Sequence, residues 1–185
     1  MVDVLSTQTI LGCIWFMLPA GYANMAPLLG KRLFPSLAIP LDGGKTFGGQ
    51  PLFGEHKTYR GLILAVLTGL AIFMIQQYLY RFAFFHNISL FDYTTMSWFM
   101  GVLLGLGAIC GDLVKSFFKR RVRVNSGKTW FPFDQIDFSV GAILFAAPLF
   151  WPGLERAIEI IIIFLALHII MNVLAFAVRL KDTPW

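Results

Sequence analysis

Three aspartates and a row of cations are the residues of this chain that could do chemistry. In Gly111-Asp112-Leu113-Val114-Lys115-Ser116-Phe117-Phe118-Lys119-Arg120-Arg121, the side chains of Asp112, Lys115, Ser116 and Lys119 stand at i, i+3, i+4 and i+7. On a helix they share one face. Asp134 and Asp137, spaced by three, follow in Phe133-Asp134-Gln135-Ile136-Asp137-Phe138 and point the same way at an expected helix N-terminus. One aspartate there is explained by capping and by the helix dipole; two exceed that need. Hard carboxylate oxygens suit Mg2+ that bridges substrate phosphates, so Asp112, Asp134 and Asp137 are candidate metal ligands. The plainer reading of Asp112 is an ion pair with Lys115 at a helix end. Against it stands the cost of an acid at a membrane boundary.

A second constellation reads Asp42-Gly43-Gly44-Lys45-Thr46-Phe47-Gly48-Gly49-Gln50, then Lys57-Thr58-Tyr59-Arg60-Gly61. Glycines let backbone N–H groups approach an anion, and Lys45, Lys57 and Arg60 would supply counter-charge, so the stretch could cradle phosphates. It is not a Walker A loop, because Ile39 stands where that motif needs its first glycine. The alternative is an interfacial loop whose lysines touch anionic lipid heads.

The elements that must position these residues are membrane helices. The 185 residues are 57% hydrophobic and only 14% charged, too apolar for a soluble domain. Runs at about 4–29, 62–80, 95–111 and 156–178 match the length a bilayer core demands of a helix, and a shorter one near 137–151 contains Pro148. The expected fold is an all-α integral membrane protein: one domain over 1–185, about five transmembrane helices, and two long cytoplasmic loops, about 30–61 and 112–136, forming the active site. Outer connections such as Arg81 to Tyr93 read as short and bland. Of the fifteen Lys and Arg, five lie in the first loop, six in the third and two, Arg179 and Lys181, in the tail. By the positive-inside rule the N-terminus is outside and the C-terminus cytoplasmic. Met1-Val2-Asp3-Val4 lacks the cationic start of a signal peptide, and Cys13 and Cys110 lie in apolar runs as packing residues.

Other features have plainer explanations. Gly101 and Gly105 suit close helix packing, and His168 with Asn172 suits an interhelical hydrogen bond. Arg156 with Glu159, and Glu155 beside them, read as a solvated ion-pair cluster at the outer boundary.

Gly111-Asp112 with Ser116, Lys119 and Arg120, followed by Asp134-Gln135-Ile136-Asp137, resembles the phosphatidate cytidylyltransferase signature, a G-D-x-x-x-S-x-x-K-R stretch before D-R-x-D. The Lys-Asp and His-Gly-Gly elements of that signature are absent here and Gln135 replaces Arg, which points away from ordinary phosphatidate specificity. The whole chain is similar to the archaeal branch, the CDP-archaeol synthase family, in its length, its five spans, Pro19-Ala20, Asn24 and Pro27 in the first helix, and its 42–49 and 57–61 motifs. That resemblance implies transfer of CMP from CTP to an isoprenoid ether-lipid phosphate, 2,3-bis-O-geranylgeranylglyceryl phosphate, with Mg2+ as cofactor and the lipid bilayer as surroundings. It implies no nucleic-acid partner and leaves oligomeric state open.

Within that resemblance Asp112, Lys115, Lys119, Arg120 and Arg121 are the expected catalytic residues, with Asp112, Asp134 and Asp137 on metal. Gly43, Gly44, Lys45, Thr46, Phe47, Gly48, Lys57 and Arg60 are expected on CTP, the glycine-rich loop folding over the nucleotide and reading the cytosine edge through main chain. The alternative places base recognition around Asn125 to Trp130. Asn24 is expected near the lipid phosphate. Two other readings compete. A CDP-alcohol phosphotransferase needs D-G-x-x-A-R, which Asp42-Gly43-Gly44-Lys45-Thr46-Phe47 does not supply. A non-enzymatic transporter or lipid-binding protein would carry ionisable residues along a pathway inside the spans, whereas here charges gather at one interface.

Overall fold

The structure is a computed structural model that describes residues 6–124 and 128–177. The expectations for Arg179, Lys181 and the two chain ends fall outside the described residues, as does Asn125 of the alternative base-reading stretch.

Among the described residues four helices are long and apolar enough to cross a membrane: α1 (Thr7–Leu33), α2 (Tyr59–Leu79), α4 (Phe99–Arg121) and α6 (Leu154–Ala177). Two have clear local starts. Ser6 Oγ accepts from the Thr9 amide at 3.2 Å to open α1, and Thr58 Oγ1 accepts from the Gly61 amide at 3.2 Å to open α2. Such caps satisfy donors that have no partner inside the helix. Helix α4 carries Lys119, Arg120 and Arg121 in its last turn, where cations are favoured by the dipole.

The segment expected as the fifth span departs from its expected limits. Helix α5 (Phe133–Ala146) begins four residues before 137 and ends well before 151. Its 14 residues rise only about 21 Å. The segment after it folds onto the bundle: Phe150 packs its ring on Phe91, 4.7 Å between centroids, and on Phe16 at 5.5 Å. Phe91 lies in the connection between α2 and α4, at the end of the bundle opposite the charged loops. Helix α4 likewise overruns its expected limit, continuing ten residues past 111 as an unbroken helix to Arg121. Asp112 is thus held inside a helix and does not open a loop.

Glycines set the closest helix contacts. Gly101 and Gly105 of α4 lie on Gly69 and Ala65 of α2, where a Cβ on Gly105 would come within 2.7 Å of the Ala65 carbonyl. On the opposite face of α4, Gly107 and Gly111 meet Gly141 of α5, and a Cβ on Gly107 would stand 2.5 Å from the Gly141 carbonyl. This is small-residue packing of membrane helices. The second seam brings the backbone of Asp137 against Gly111, so it also fixes the separation of the acidic residues.

The connection between α2 and α4 is neither short nor bland. It contains helix α3 (Ala83–Ile88) and folds onto the bundle. Gln77 Nε2 donates to the carbonyls of Tyr93 at 3.1 Å and Met96 at 2.8 Å. Tyr93 is fully buried and stacks on Phe91 and Phe73. The recurrence of aromatic residues from Phe82 to Tyr93 is the sequence signal for this cap. Arg156 and Glu159 pair at 2.5 Å, but Glu159 is buried among α6 and its neighbours rather than solvated.

Candidate active site

Loop one is folded. Pro40 bridges Thr58 at its base, and strands β1 (Thr46–Phe47) and β2 (Gln50–Pro51) form a hairpin with Thr46 opposite Pro51 and Phe47 opposite Gln50. The two linking residues, Gly48 and Gly49, have φ of 61° and 75°, the left-handed pair that a type I′ turn demands. Asp42 organises the rest. Its carboxylate, 6% exposed, accepts from the amides of Gly44 at 3.0 Å and of Phe53 and Gly54 at 3.1 Å each. Burial opposes ionisation of Asp42, but those amide hydrogen bonds outweigh it and hold the carboxyl below its ordinary value. Sequence reasoning missed this organising role, although Asp-Gly-Gly is the composition of an Asx turn.

Arg121 ties the hairpin to α4. Its guanidinium donates to the carbonyls of Pro51 at 3.0 Å, Leu52 at 3.1 Å and Phe117 at 3.2 Å. It lies over the Phe117 ring at 3.7 Å and the Phe47 ring at 5.2 Å. Arg120 donates to the Val124 carbonyl at 2.9 Å. Arg60 donates to the Phe34 carbonyl, pinning the end of α1.

Lys57 leaves the loop in the other direction and pairs with Asp112. There the cations and acids interleave. Lys115 Nζ is 3.0 Å from Asp112 Oδ1, 2.9 Å from Asp134 Oδ1 and 2.9 Å from Asp137 Oδ2. Lys119 Nζ grips both oxygens of Asp134, at 3.1 and 2.9 Å. Asp134 also accepts from the Trp130 amide at 2.5 Å and Asp137 from the Phe138 amide at 2.6 Å. Neither acts as the N-cap of α5, which is Pro132. The three carboxylates come from two helices, and every one of them is largely buried.

Among the described residues no three acidic, His or Cys side chains close on one another as a ready metal cage. The three aspartates instead converge on one ammonium. That shared point is a cation position built from hard carboxylate oxygens, the donor chemistry that suits a divalent metal such as Mg2+.

The sequence-derived residues therefore divide. Asp112, Lys115, Lys119, Asp134, Asp137 and Lys57 form one cluster. Gly43, Gly44, Lys45, Thr46, Phe47 and Gly48 are exposed on the hairpin loop. Arg120 and Arg121 lie at the C-terminal end of α4 with backbone partners. Arg60 faces the end of α1, beside an apolar notch of about 300 Å3 lined by Phe34, Leu37 and Ile63. Asn24 and His168 line a groove of about 610 Å3 between α1, α5 and α6.

A second groove of about 600 Å3 runs between α4 and α5, walled by Val114, Phe118, Val140 and Leu144, with Lys115 and Asp137 in its lining. Its wall is almost wholly apolar, and Val114, Phe118 and Leu144 are exposed along it. A polar cluster thus opens directly onto a hydrophobic channel facing the surroundings of the bundle.

Comparison with known proteins agrees with this arrangement. The family model described as CDP-archaeol synthase matches residues 6–185. The CDP-archaeol synthase of Pyrococcus furiosus is 34% identical over 178 residues, covering 95% of this chain and 98% of that one. The Methanocaldococcus jannaschii CDP-archaeol synthase is 32% identical over 179 residues, with 96% and 98% covered. A solved structure of an intramembrane enzyme for archaeal membrane lipid biosynthesis superposes with a TM-score of 0.71 at 28% identity, covering 89% of this chain and 94% of that one. An all-α membrane bundle, acids meeting at the mouth of an apolar groove and likeness along nearly the full length agree, and the chain belongs to the CDP-archaeol synthase family.

Proposed function

We propose that this chain is a multi-pass cell-membrane enzyme that transfers CMP from CTP to 2,3-bis-O-geranylgeranylglyceryl phosphate, giving CDP-archaeol and pyrophosphate. The observation that carries the reading is the convergence of Asp112, Asp134 and Asp137 on one cation position at the polar mouth of the α4–α5 groove. Support also comes from family membership.

In the reaction a non-bridging oxygen of the lipid phosphate attacks the α-phosphorus of CTP. The bond from that phosphorus to the bridging oxygen breaks, and pyrophosphate leaves with the electron pair. A phosphate monoester, with second pKa about 6, is already largely dianionic at neutral pH, so no general base is required. Catalysis is then mostly positioning and charge neutralisation. Asp112, Asp134 and Asp137 would hold Mg2+, which when bound supplies Lewis-acid neutralisation of phosphate oxygens. Lys57, Lys115 and Lys119, already within the cluster, supply the remaining positive charge and orient the phosphates. Lys45 and Thr46, exposed on the hairpin loop, would serve the nucleotide side. Arg120 and Arg121 hold the floor to which that hairpin is tied. Arg60, turned onto α1, contributes by fixing the loop's return into α2. The direct test is purified protein in lipid nanodiscs with radiolabelled CTP and Mg2+, given the ether-lipid phosphate or a diacyl phosphate. CDP-lipid formation with equimolar pyrophosphate is expected, and its absence with both acceptors would refute the reading.

An isoprenoid chain would lie in the α4–α5 groove, because Lys115 and Asp137 in its lining leave the phosphate end beside the acids. Asn24, on the groove beyond α5, would then serve a second chain rather than the phosphate. Leu144 is 62% exposed, so Leu144→Trp can fill the groove without disturbing the core. The expected result is a KM for the lipid phosphate raised about tenfold with that for CTP unchanged, since pocket shape discriminates by roughly this much per small group. An unaltered lipid KM would move the chain elsewhere.

The charged loops belong on the cytoplasmic side, with the N-terminus outside and the C-terminus inside. Reporter fusions at the two ends should report opposite compartments. Reporters in the same compartment would contradict five crossings.

A further inference from the structure

One ammonium occupies the point on which all three aspartates converge. Lys115 bonds Asp112, Asp134 and Asp137 at 2.9–3.0 Å, whereas Lys57 reaches Asp112 and Lys119 reaches Asp134. We propose that Lys115 is the resident counter-ion of the metal site: its ammonium and a divalent cation compete for the same three carboxylates, and phosphate draws Lys115 out as metal enters. The proposal rests on the metal assignment made above and adds an order of events to it.

The physical case begins with charge. Three buried carboxylates without a cation at their centre would repel one another and remain poorly solvated, so an empty site needs an internal cation to hold its shape. Lys115 provides it. An ammonium and a divalent ion cannot occupy one point, and at such separations in a poorly screened site they repel strongly. Departure is feasible because lysine is a compact charge on a flexible four-carbon stem. Lys115 also lines the α4–α5 groove, so there is space beside the cluster on the side where the acceptor phosphate would arrive. A phosphate oxygen of the nucleotide, which must meet the acceptor phosphate at this place for transfer to occur, would offer the displaced ammonium a new partner. Metal alone must therefore displace Lys115 without recompense, while metal with nucleotide need not. Binding of the two should be positively coupled, and reciprocally so.

The test uses Mn2+ as the probe, with free ion counted by electron paramagnetic resonance, on full-length protein in nanodiscs. Wild type should bind Mn2+ weakly alone and on the order of tenfold more tightly with CTP, within the usual span of coupling between sites. Lys115→Met should bind Mn2+ on the order of tenfold more tightly than wild type without CTP, because a competing charge at bond distance has gone. Its coupling to CTP should shrink. Lys115→Arg, which keeps a cation, should stay close to wild type. Equal or weaker Mn2+ binding by a Lys115→Met protein with the wild-type melting temperature overturns the proposal. A second measurement avoids mutation altogether. Acylation of the Lys115 amine in wild type, read by mass spectrometry against Lys119, should rise as Mg2+ is raised to saturation without nucleotide, and no rise at saturation overturns the exchange. Failure of the wild type to form CDP-lipid would refute the functional reading yet leave these binding differences measurable. Absence of Mn2+ binding in every protein, with and without CTP, would overturn both the metal assignment and the exchange.

Discussion

Asp137→Asn is expected to lower kcat for CDP-lipid formation by about a hundred- to a thousandfold, the loss typical when one preorganised electrostatic group is removed from an active site. Asparagine preserves the shape and can still accept from the Phe138 amide, which Asp137 Oδ1 does now at 2.6 Å. It removes only the negative charge that Oδ2 presents to the cation position, at 2.9 Å from Lys115. Asp112→Asn should behave similarly and should also release Lys57. Asp134→Asn additionally weakens the grip on Lys119 and on the Trp130 amide, so its effect should include some loss of thermal stability. Because the three act on one ion, the double variant Asp112→Asn/Asp137→Asn should cost little more than either alone. His168→Ala is the control: that histidine lines the groove between α1, α5 and α6, and turnover should stay within about twofold of wild type, as for a residue outside the electrostatic site. Measured kcat with saturating CTP and lipid decides the matter. Near-normal turnover in Asp137→Asn would remove the metal assignment.

The cluster was legible in the sequence because helical periodicity needs no tertiary knowledge. Asp112, Lys115 and Lys119 share a face whatever the helix packs against, and Asp134 with Asp137 share another. What periodicity could not supply was the distance between those faces. That distance is fixed by Gly107, Gly111 and Gly141, where two backbones touch; Gly107 and Gly111 have the same four-residue spacing as Gly101 and Gly105, but spacing alone does not say which helix each pair meets. The limits of α4 escape hydropathy because apolarity ends where charge begins, while backbone hydrogen bonding continues through Arg121. Arg60 and Arg121 have partners that the sequence does not disclose. Their charge suggests phosphate, but a guanidinium has five donors in a fixed fork, and here backbone carbonyls engage them. Asp42 was legible only as part of a glycine-rich run, since the amides of Phe53 and Gly54 that it binds lie eleven and twelve residues on. Side-chain to backbone bonds of that range leave no periodic trace.

The hairpin that these residues build is the source of the second large expected effect. A Cβ added at Gly48 or Gly49 would meet no atom within 4 Å, so added bulk by itself costs nothing there. Their positive φ values make the cost one of backbone conformation: an L-residue in the left-handed region loses about 1–2 kcal/mol. A β-branched residue is worse, whereas Asn tolerates the region through local hydrogen bonding. If the loop presents main-chain groups and the Phe47 ring to cytosine, then Gly48→Val should raise the KM for CTP about tenfold, the ratio equivalent to roughly 1.4 kcal/mol. Gly48→Asn should leave it nearly unchanged. Arg121→Ala, which frees the hairpin from its carbonyl bonds and from the Phe47 and Phe117 rings, should raise the same KM with little effect on that for lipid phosphate. Preference for CTP over UTP should fall in both the valine and the alanine proteins, because a site that reads a base edge discriminates only while its donors and acceptors stay in place. The contrast between valine and asparagine at one position separates loop geometry from side-chain bulk. An unchanged KM for CTP in Gly48→Val, or equal use of CTP and UTP by the unaltered protein, would show that the hairpin does not read the nucleotide.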